Sequence, residues 1–216
     1  MKVSIIKSDK IIDFVLPPQV HGNYWITDKT KDGKDKYYID DSFSYILRDD
    51  EKDNIILIGF MGCGKSTMAR LLSETTGAKL IEMDETIEAD AGMTINEIFE
   101  AYGETHFRDL ETKLIRRIAE EGGAVVSCGG GAILRPENVA CMKENGKIIY
   151  LSATPETIFQ RVRHSTNRPL LNGNMNVEYI SSLMEKRLPH YLAAADITIV
   201  VDDREKQDVL NDLLKV

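Results

Sequence analysis

Ile55-Ile56-Leu57-Ile58-Gly59-Phe60-Met61-Gly62-Cys63-Gly64-Lys65-Ser66-Thr67 decides the fold. Its centre, Gly59 to Ser66, reads G-x-x-x-x-G-K-S, the phosphate-loop pattern. The four apolar residues before it have strand length. After it, Met68, Leu71, Leu72 and Thr75 share one face of a helix, and Gly77 suits its C-terminal stop. Strand, glycine loop and helix together are the context this motif requires. The glycines let backbone N–H groups approach a phosphate without Cβ clashes, and the helix N-terminus adds unpaired donors. Gly62, Cys63, Gly64, Lys65, Ser66 and Thr67 are therefore expected to hold a nucleoside triphosphate. Lys65 reaches the β- and γ-phosphates, and the Ser66 hydroxyl is a ligand for Mg²⁺. The loop alone does not say which group receives the phosphate.

On its N-terminal side lie about 50 residues of different character. Val3–Ile6, Ile11–Leu16, Tyr24–Thr27 and Tyr37–Ile39 are strand-like, and Pro17-Pro18 stops the second run. A charged linker, Arg48 to Asp53, then leads into the core strand. The expectation is a small antiparallel β appendage over residues 1–53, read either as a packed extension without chemistry or as a regulatory or interaction module.

On the C-terminal side strands and helices alternate. Lys79–Asp84, Ala124–Ser127, Lys147–Leu151 and Ile197–Val201 read as strands. Helices are expected over 95–102, broken by Gly103, then over 104–121, 137–144, from Pro155 with Thr154 as its cap, 177–194 with Pro189 as a candidate kink, and at the C-terminus. Five apolar strands alternating with helices predict a phosphate-loop NTPase-like α/β sandwich, a parallel five-stranded sheet covered on both faces. Ligands in such sheets sit at the strands' carboxyl ends, so the phosphate loop, Asp84 and Gly129-Gly130-Gly131 should share one cleft.

Composition bounds the rest. The 216 residues suit one α/β domain plus something small, and the net charge of −8 argues against nucleic acid as a main partner. Cys63, Cys128 and Cys141 form no C-x-x-C pair and read as reduced cytosolic thiols. No apolar run is long enough to cross a membrane, and no signal peptide is evident, so a cytoplasmic monomer is expected.

Within the cleft, each residue has two readings. Glu82 and Asp84 leave the second strand on one face; one could hold Mg²⁺ through water while the other meets an acceptor hydroxyl, or both are ordinary exposed acids. Arg108 and Glu111 are three apart on a helix and pair either at a site or on the surface. The three glycines allow close approach to a ligand, or simply a tight turn. Arg168, in a polar loop of lid length from about His164 to Asn176, is either a closing cation or a solvated side chain. Arg187 is either a site residue or helix surface.

From about Asn54 to the C-terminus these pieces closely resemble shikimate kinase. The matching segments are Gly59 to Thr67, the acid pair ending at Asp84, Phe107-Arg108-Asp109-Leu110-Glu111, Gly129-Gly130-Gly131, Arg168-Pro169-Leu170-Leu171 and Arg187-Leu188-Pro189-His190-Tyr191, in the family's order and spacing. The resemblance implies transfer of the ATP γ-phosphate to the 3-hydroxyl of shikimate. It assigns Asp84 to the shikimate hydroxyls as base, Arg108 and Arg187 to the carboxylate, Gly129, Gly130 and Gly131 to backbone contacts, Arg168 to the lid and Arg161 to adenine stacking. A gluconate kinase-like enzyme and a non-catalytic nucleotide-binding regulator are the rival readings. Three features depart from the family pattern: Glu82 stands where Asp is usual, no proline lies between Val201 and Lys206, and residues 1–53 have no counterpart.

Overall fold

The computed structural model describes residues 54–163 and 176–216 in full, together with the backbone of four strands among the first 53. Those four are β1 (Lys2–Lys7), β2 (Lys10–Val15), β3 (Tyr24–Lys29) and β4 (Asp35–Ile39), in the order β2-β1-β4-β3. β1 pairs antiparallel with β2, and β3 with β4, but β1 and β4 run parallel. The sheet is therefore mixed, where hairpin logic led us to expect an antiparallel one. Short turns favour antiparallel neighbours within each hairpin, but they do not dictate how two hairpins join.

The main sheet is all parallel, in the order β6-β7-β5-β8-β9. Its strands are β5 (Asn54–Ile58), β6 (Lys79–Glu82), β7 (Ala124–Ser127), β8 (Gly146–Ser152) and β9 (Ile197–Val200). β5 is central, and every one of its residues is buried, as a strand covered on both faces must be. One core on one face gathers Leu57, Leu72, Val125, Ile149 and Leu213; another on the opposite face gathers Ile56, Met83, Ile98, Ile115 and Ile148. Each such side chain contributes roughly 1.5–3 kcal/mol on burial. Asn54 opens β5 as a buried polar exception, and it is satisfied. Its amide donates to the Asn145 carbonyl at 3.0 Å, and its oxygen accepts from the Ala124 N–H at 3.0 Å.

The helices are α1 (Lys65–Thr76), α2 (Met83–Ala91), α3 (Ile95–Glu121), α4 (Pro136–Glu144), α5 (Pro155–Val162), α6 (Val177–Ala194) and α7 (Lys206–Leu213). Their punctuation follows the sequence. Gly77 caps α1 in the left-handed conformation, and the Thr154 hydroxyl accepts from the Thr157 N–H to cap α5. Thr94 and Glu97 form a capping box at α3, and Gly103 breaks that helix at φ 81°. α6 runs through Pro189 as a single helix. On α1 the buried residues are Met68, Ala69 and Leu72, while Thr75 lies exposed.

One local expectation fails. β6 ends at Glu82, and Asp84 belongs to the first turn of α2 rather than to the strand. Asp84 and Glu85 in that turn complement the helix N-terminus, which favours helix over continued strand. The argument that Glu82 and Asp84 share a strand face therefore does not hold. A strand end followed at once by a helix is what places both acids at the sheet's carboxyl edge.

Candidate functional site

The carboxyl ends of β5, β6 and β7 open into one cleft. It is lined by the phosphate loop, Glu82, Asp84, Arg108, Gly129 to Gly131, Arg161 and Arg187. Arg168 lies outside the described residues.

The phosphate loop is held by its own chemistry. Gly62 and Gly64 take φ 79° and 106°, a region that L side chains avoid. Gly64 is the residue before α1, whose first turn lines the cleft and carries the N–H groups a helix leaves without internal partners. The Lys65 ammonium donates to the Gly59 carbonyl at 2.9 Å and to Phe60 at 3.2 Å, so it stands folded over the loop. The Ser66 hydroxyl lies 3.4 Å from that of Ser127 at the end of β7. Arg161 donates from Nη1 to the Cys63 carbonyl at 3.1 Å and approaches Val201 from Nη2 at 3.4 Å. It thereby ties α5 to the loop and to the segment after β9. Cys63 and Cys128 are buried free thiols, and burial pushes the Cys128 thiol far up, leaving it protonated.

Opposite the loop, Arg108 is held by two carboxylates that use three of its five N–H donors. Its Nη1 donates to Glu111 Oε2 at 2.7 Å, and its Nη2 and Nε donate to Glu104 Oε1 at 2.9 and 3.2 Å. The Glu111 side chain is 1% exposed and that of Arg108 15%. Burial pushes the Glu111 carboxyl above its usual range, although the Arg108 guanidinium pulls it down. Burial alone would lower Arg108, but the two carboxylates outweigh it and hold the guanidinium charged. This is no surface pair.

Steric need explains two of the three glycines, Gly129 and Gly131; a Cβ on Gly130 would meet its neighbours at an ordinary 3.7 Å. None of them has a positive φ, so the backbone does not demand glycine there. A Cβ on Gly131, however, would overlap the Arg108 guanidinium, and one on Gly129 would lie 2.7 Å from Glu111 Oε1 and 3.0 Å from Asp84 Oδ1. The run lets Arg108, Glu111 and Asp84 close on one strip of backbone. Arg187, on α6, reaches the Gly130 carbonyl at 3.5 Å and stands over the Phe60 ring with its Cζ 5.8 Å from the centroid.

Three partners escaped the sequence reading. Glu104 is four residues before Arg108, so helical spacing could have found it. Ser127 meets Ser66 only because β7 lies beside β5, with Leu57 opposite Ser127. Tyr191 donates to the Gly130 carbonyl at 2.8 Å, a contact between elements 61 residues apart.

Comparison with known proteins agrees with this geometry. The family model described as shikimate kinase matches residues 61–216. The shikimate kinase of Dehalococcoides mccartyi strain 195 is 40% identical over 162 residues, covering 75% of this chain and 92% of that protein. That of Persephonella marina is 42% identical over 161 residues, covering 74% and 96%. Among solved structures, shikimate kinase from Acinetobacter baumannii in complex with shikimate superposes with a TM-score of 0.71 at 34% identity, over 76% of this chain and 92% of that one. The Aquifex aeolicus enzyme gives 0.65 at 33% identity, over 75% and 94%. With the match running from inside the phosphate loop to the last residue, and nearly the whole of each relative covered, the chain belongs to the shikimate kinase family.

Proposed function

We infer that this protein transfers the γ-phosphate of ATP to the 3-hydroxyl of shikimate, giving shikimate 3-phosphate and ADP on the route to chorismate and the aromatic amino acids. The observation that carries the reading is one cleft in which a complete phosphate loop faces Asp84, Arg108 and Arg187. Two guanidinium groups and a carboxylate suit a small hydroxy-carboxylate acceptor better than a neutral sugar. Coupled ADP release should require shikimate and should not respond to gluconate. Turnover on gluconate alone would point to a gluconate kinase-like enzyme, and nucleotide binding without turnover to a regulatory protein.

Phosphoryl transfer is mostly positioning and electrostatics. Lys65 moves from its own loop carbonyls to the β- and γ-phosphates, exchanging neutral acceptors for anionic ones. Asp84 meets the acceptor hydroxyls and takes the proton of the attacking one. Arg187 and Arg108 receive the carboxylate, and Glu111 fixes Arg108 in place. Arg161 offers its guanidinium plane to adenine while anchored on the Cys63 carbonyl.

The residues present fit Mg²⁺. Ser66 and Glu82 supply oxygen donors of the hard type it prefers, and Glu82 Oε1 is buried without a hydrogen-bond partner among the described residues. When bound, the ion supplies charge neutralisation on the transferring phosphoryl group. Glu82, with one methylene more than Asp, suits contact through water.

Arg168 is proposed as the lid cation. Arg168→Ala should lower kcat by roughly 10²-fold or more and change shikimate affinity less, because its charge matters most once the loop closes. Initial rates at varied shikimate check this; an unchanged kcat makes Arg168 ordinary surface.

Residues 1–53 are proposed as a separate extension outside the chemistry. A chain starting at Asp49 should keep phosphoryl transfer within about twofold, because every site residue lies beyond it, with at most a modest loss of solubility. Lost turnover in a truncated chain with native circular dichroism and cooperative melting would bring the extension into the mechanism. The protein is further proposed to act as a cytoplasmic monomer without a nucleic-acid partner. The net charge of −8 supports this. Among the described residues no helix is long and apolar enough to cross a membrane.

A further inference from the structure

Arg187 and Tyr191 are four residues apart on α6 and so lie on the same face of the helix. Both reach the same acceptor. The Tyr191 hydroxyl donates to the Gly130 carbonyl at 2.8 Å, whereas Arg187 Nη1 stands at 3.5 Å, the outer limit of a hydrogen bond. The tyrosine is therefore the carbonyl's true partner.

Its own position is rigid. Tyr191 is 2% exposed, and its ring stacks on Tyr150 of β8 with centroids 5.0 Å apart and planes 7° from parallel. Burial pushes the hydroxyl far above its ordinary range, against the pull of the Arg187 charge, so it stays a protonated donor at any working pH. The stack fixes the ring, the ring fixes the hydroxyl, and the hydroxyl fixes the middle of the triple-glycine strip.

We propose that Tyr191 is a positioning residue for the acceptor. By satisfying the Gly130 carbonyl it holds the glycine strip in place and keeps the Arg187 guanidinium available for the acceptor's anionic group. Without the hydroxyl, a part-buried carbonyl loses its donor and the nearest replacement is Arg187. Because an unsatisfied buried carbonyl is costly, the guanidinium is drawn from 3.5 Å to a full bond and turned from the cleft. The inference rests on the reading above in which Arg187 receives the carboxylate of shikimate.

Tyr191→Phe, Arg187→Ala and the double variant test it. Phenylalanine keeps the stack on Tyr150 and the buried volume, so the fold should survive, and thermal unfolding checks that it does. Initial rates are measured against shikimate at saturating ATP, and against ATP at saturating shikimate. Tyr191→Phe should raise the KM for shikimate roughly three- to tenfold, the range expected for one lost hydrogen bond, with KM for ATP and kcat within about twofold. In the Arg187→Ala background the same change should alter the shikimate KM by less than about twofold, because the group it positions is gone. If the two effects multiply, or if Tyr191→Phe leaves the shikimate KM at the wild-type value while Arg187→Ala raises it, the positioning role is wrong and the carboxylate reading stands. If Arg187→Ala itself leaves that KM unchanged, both fall. A purely structural Tyr191 would instead lower the melting temperature and weaken ATP and shikimate alike.

Discussion

Lys65→Ala should abolish measurable phosphoryl transfer, a loss of roughly 10²–10³-fold or more, while leaving the fold intact. The charge it removes is aimed at the transferring phosphoryl group, where it stabilises the transition state more than the bound nucleotide. The fold loses little. Among the described residues the ammonium bonds the loop's own Gly59 and Phe60 carbonyls and, weakly, Cys63 Sγ, and a cation on the first residue of α1 opposes the helix dipole. The melting temperature should thus stay within a few degrees of wild type, and nucleotide affinity should fall far less than kcat. Coupled ADP release, thermal unfolding and nucleotide titration together read the outcome. Near-normal turnover in a folded Lys65→Ala protein would remove Lys65 from the mechanism.

Arg108→Ala and Arg187→Ala should each raise the KM for shikimate by roughly 30-fold or more, the equivalent of about 2–5 kcal/mol for a desolvated charge pair left without its partner. ATP binding should survive both, since the phosphate loop is untouched. The two differ in what else they break. Among the described residues Arg187 meets the Gly130 carbonyl, the Tyr191 hydroxyl and the face of Phe60, and no carboxylate depends on it, so its loss should change stability little. Arg108 balances Glu111, whose side chain is 1% exposed, and removing one partner of a buried pair costs on the order of 3 kcal/mol.

That cost has a sign in pH. Burial already holds the Glu111 carboxyl above its unfolded value of 4.5, against Arg108; without Arg108 it rises further. An acid with a raised folded pKa weakens the fold progressively as pH climbs from its unfolded pKa to its folded one, and costs nothing where both states are protonated. Arg108→Ala should therefore melt early at neutral pH and recover part of the deficit, relative to wild type, as pH falls towards 4.5. Arg187→Ala should show no such recovery. Wild-type shikimate KM in both variants would overturn the acceptor assignment; a pH-independent deficit in Arg108→Ala would overturn the account of Glu111.

Much of this was legible from local pattern. The phosphate loop, its strand and its helix are contiguous, and their chemistry depends on backbone that a dozen residues determine by themselves. Gly77, Gly103 and Thr154 end or start helices through their own dihedral freedom and side-chain oxygens, so their roles were written in the order of residues. The Arg108–Glu111 pair was visible as helical spacing. Its burial was not, because the sequence alone could not say that the face carrying it would close on β7's glycines.

Tertiary structure decided what depends on non-neighbours. Parallel order β6-β7-β5 is what brings Ser127 to Ser66 and Glu82 to the cleft's edge. The end of β6 at Glu82 reflects α2's acidic first turn packing Met83 and Ile87 into the core, which overrode the strand-like run of Lys79 to Asp84. The glycines at 129–131 read equally as a turn until side chains of α2 and α3 filled the space where the Cβ atoms of Gly129 and Gly131 would lie. Tyr191 belonged in the sequence to the segment Arg187 to Tyr191 that matches the family, with no partner of its own in view. Only the approach of Gly130, 61 residues away in sequence, makes it a donor, since a hydroxyl's partner is set by what the fold puts within 3 Å of it.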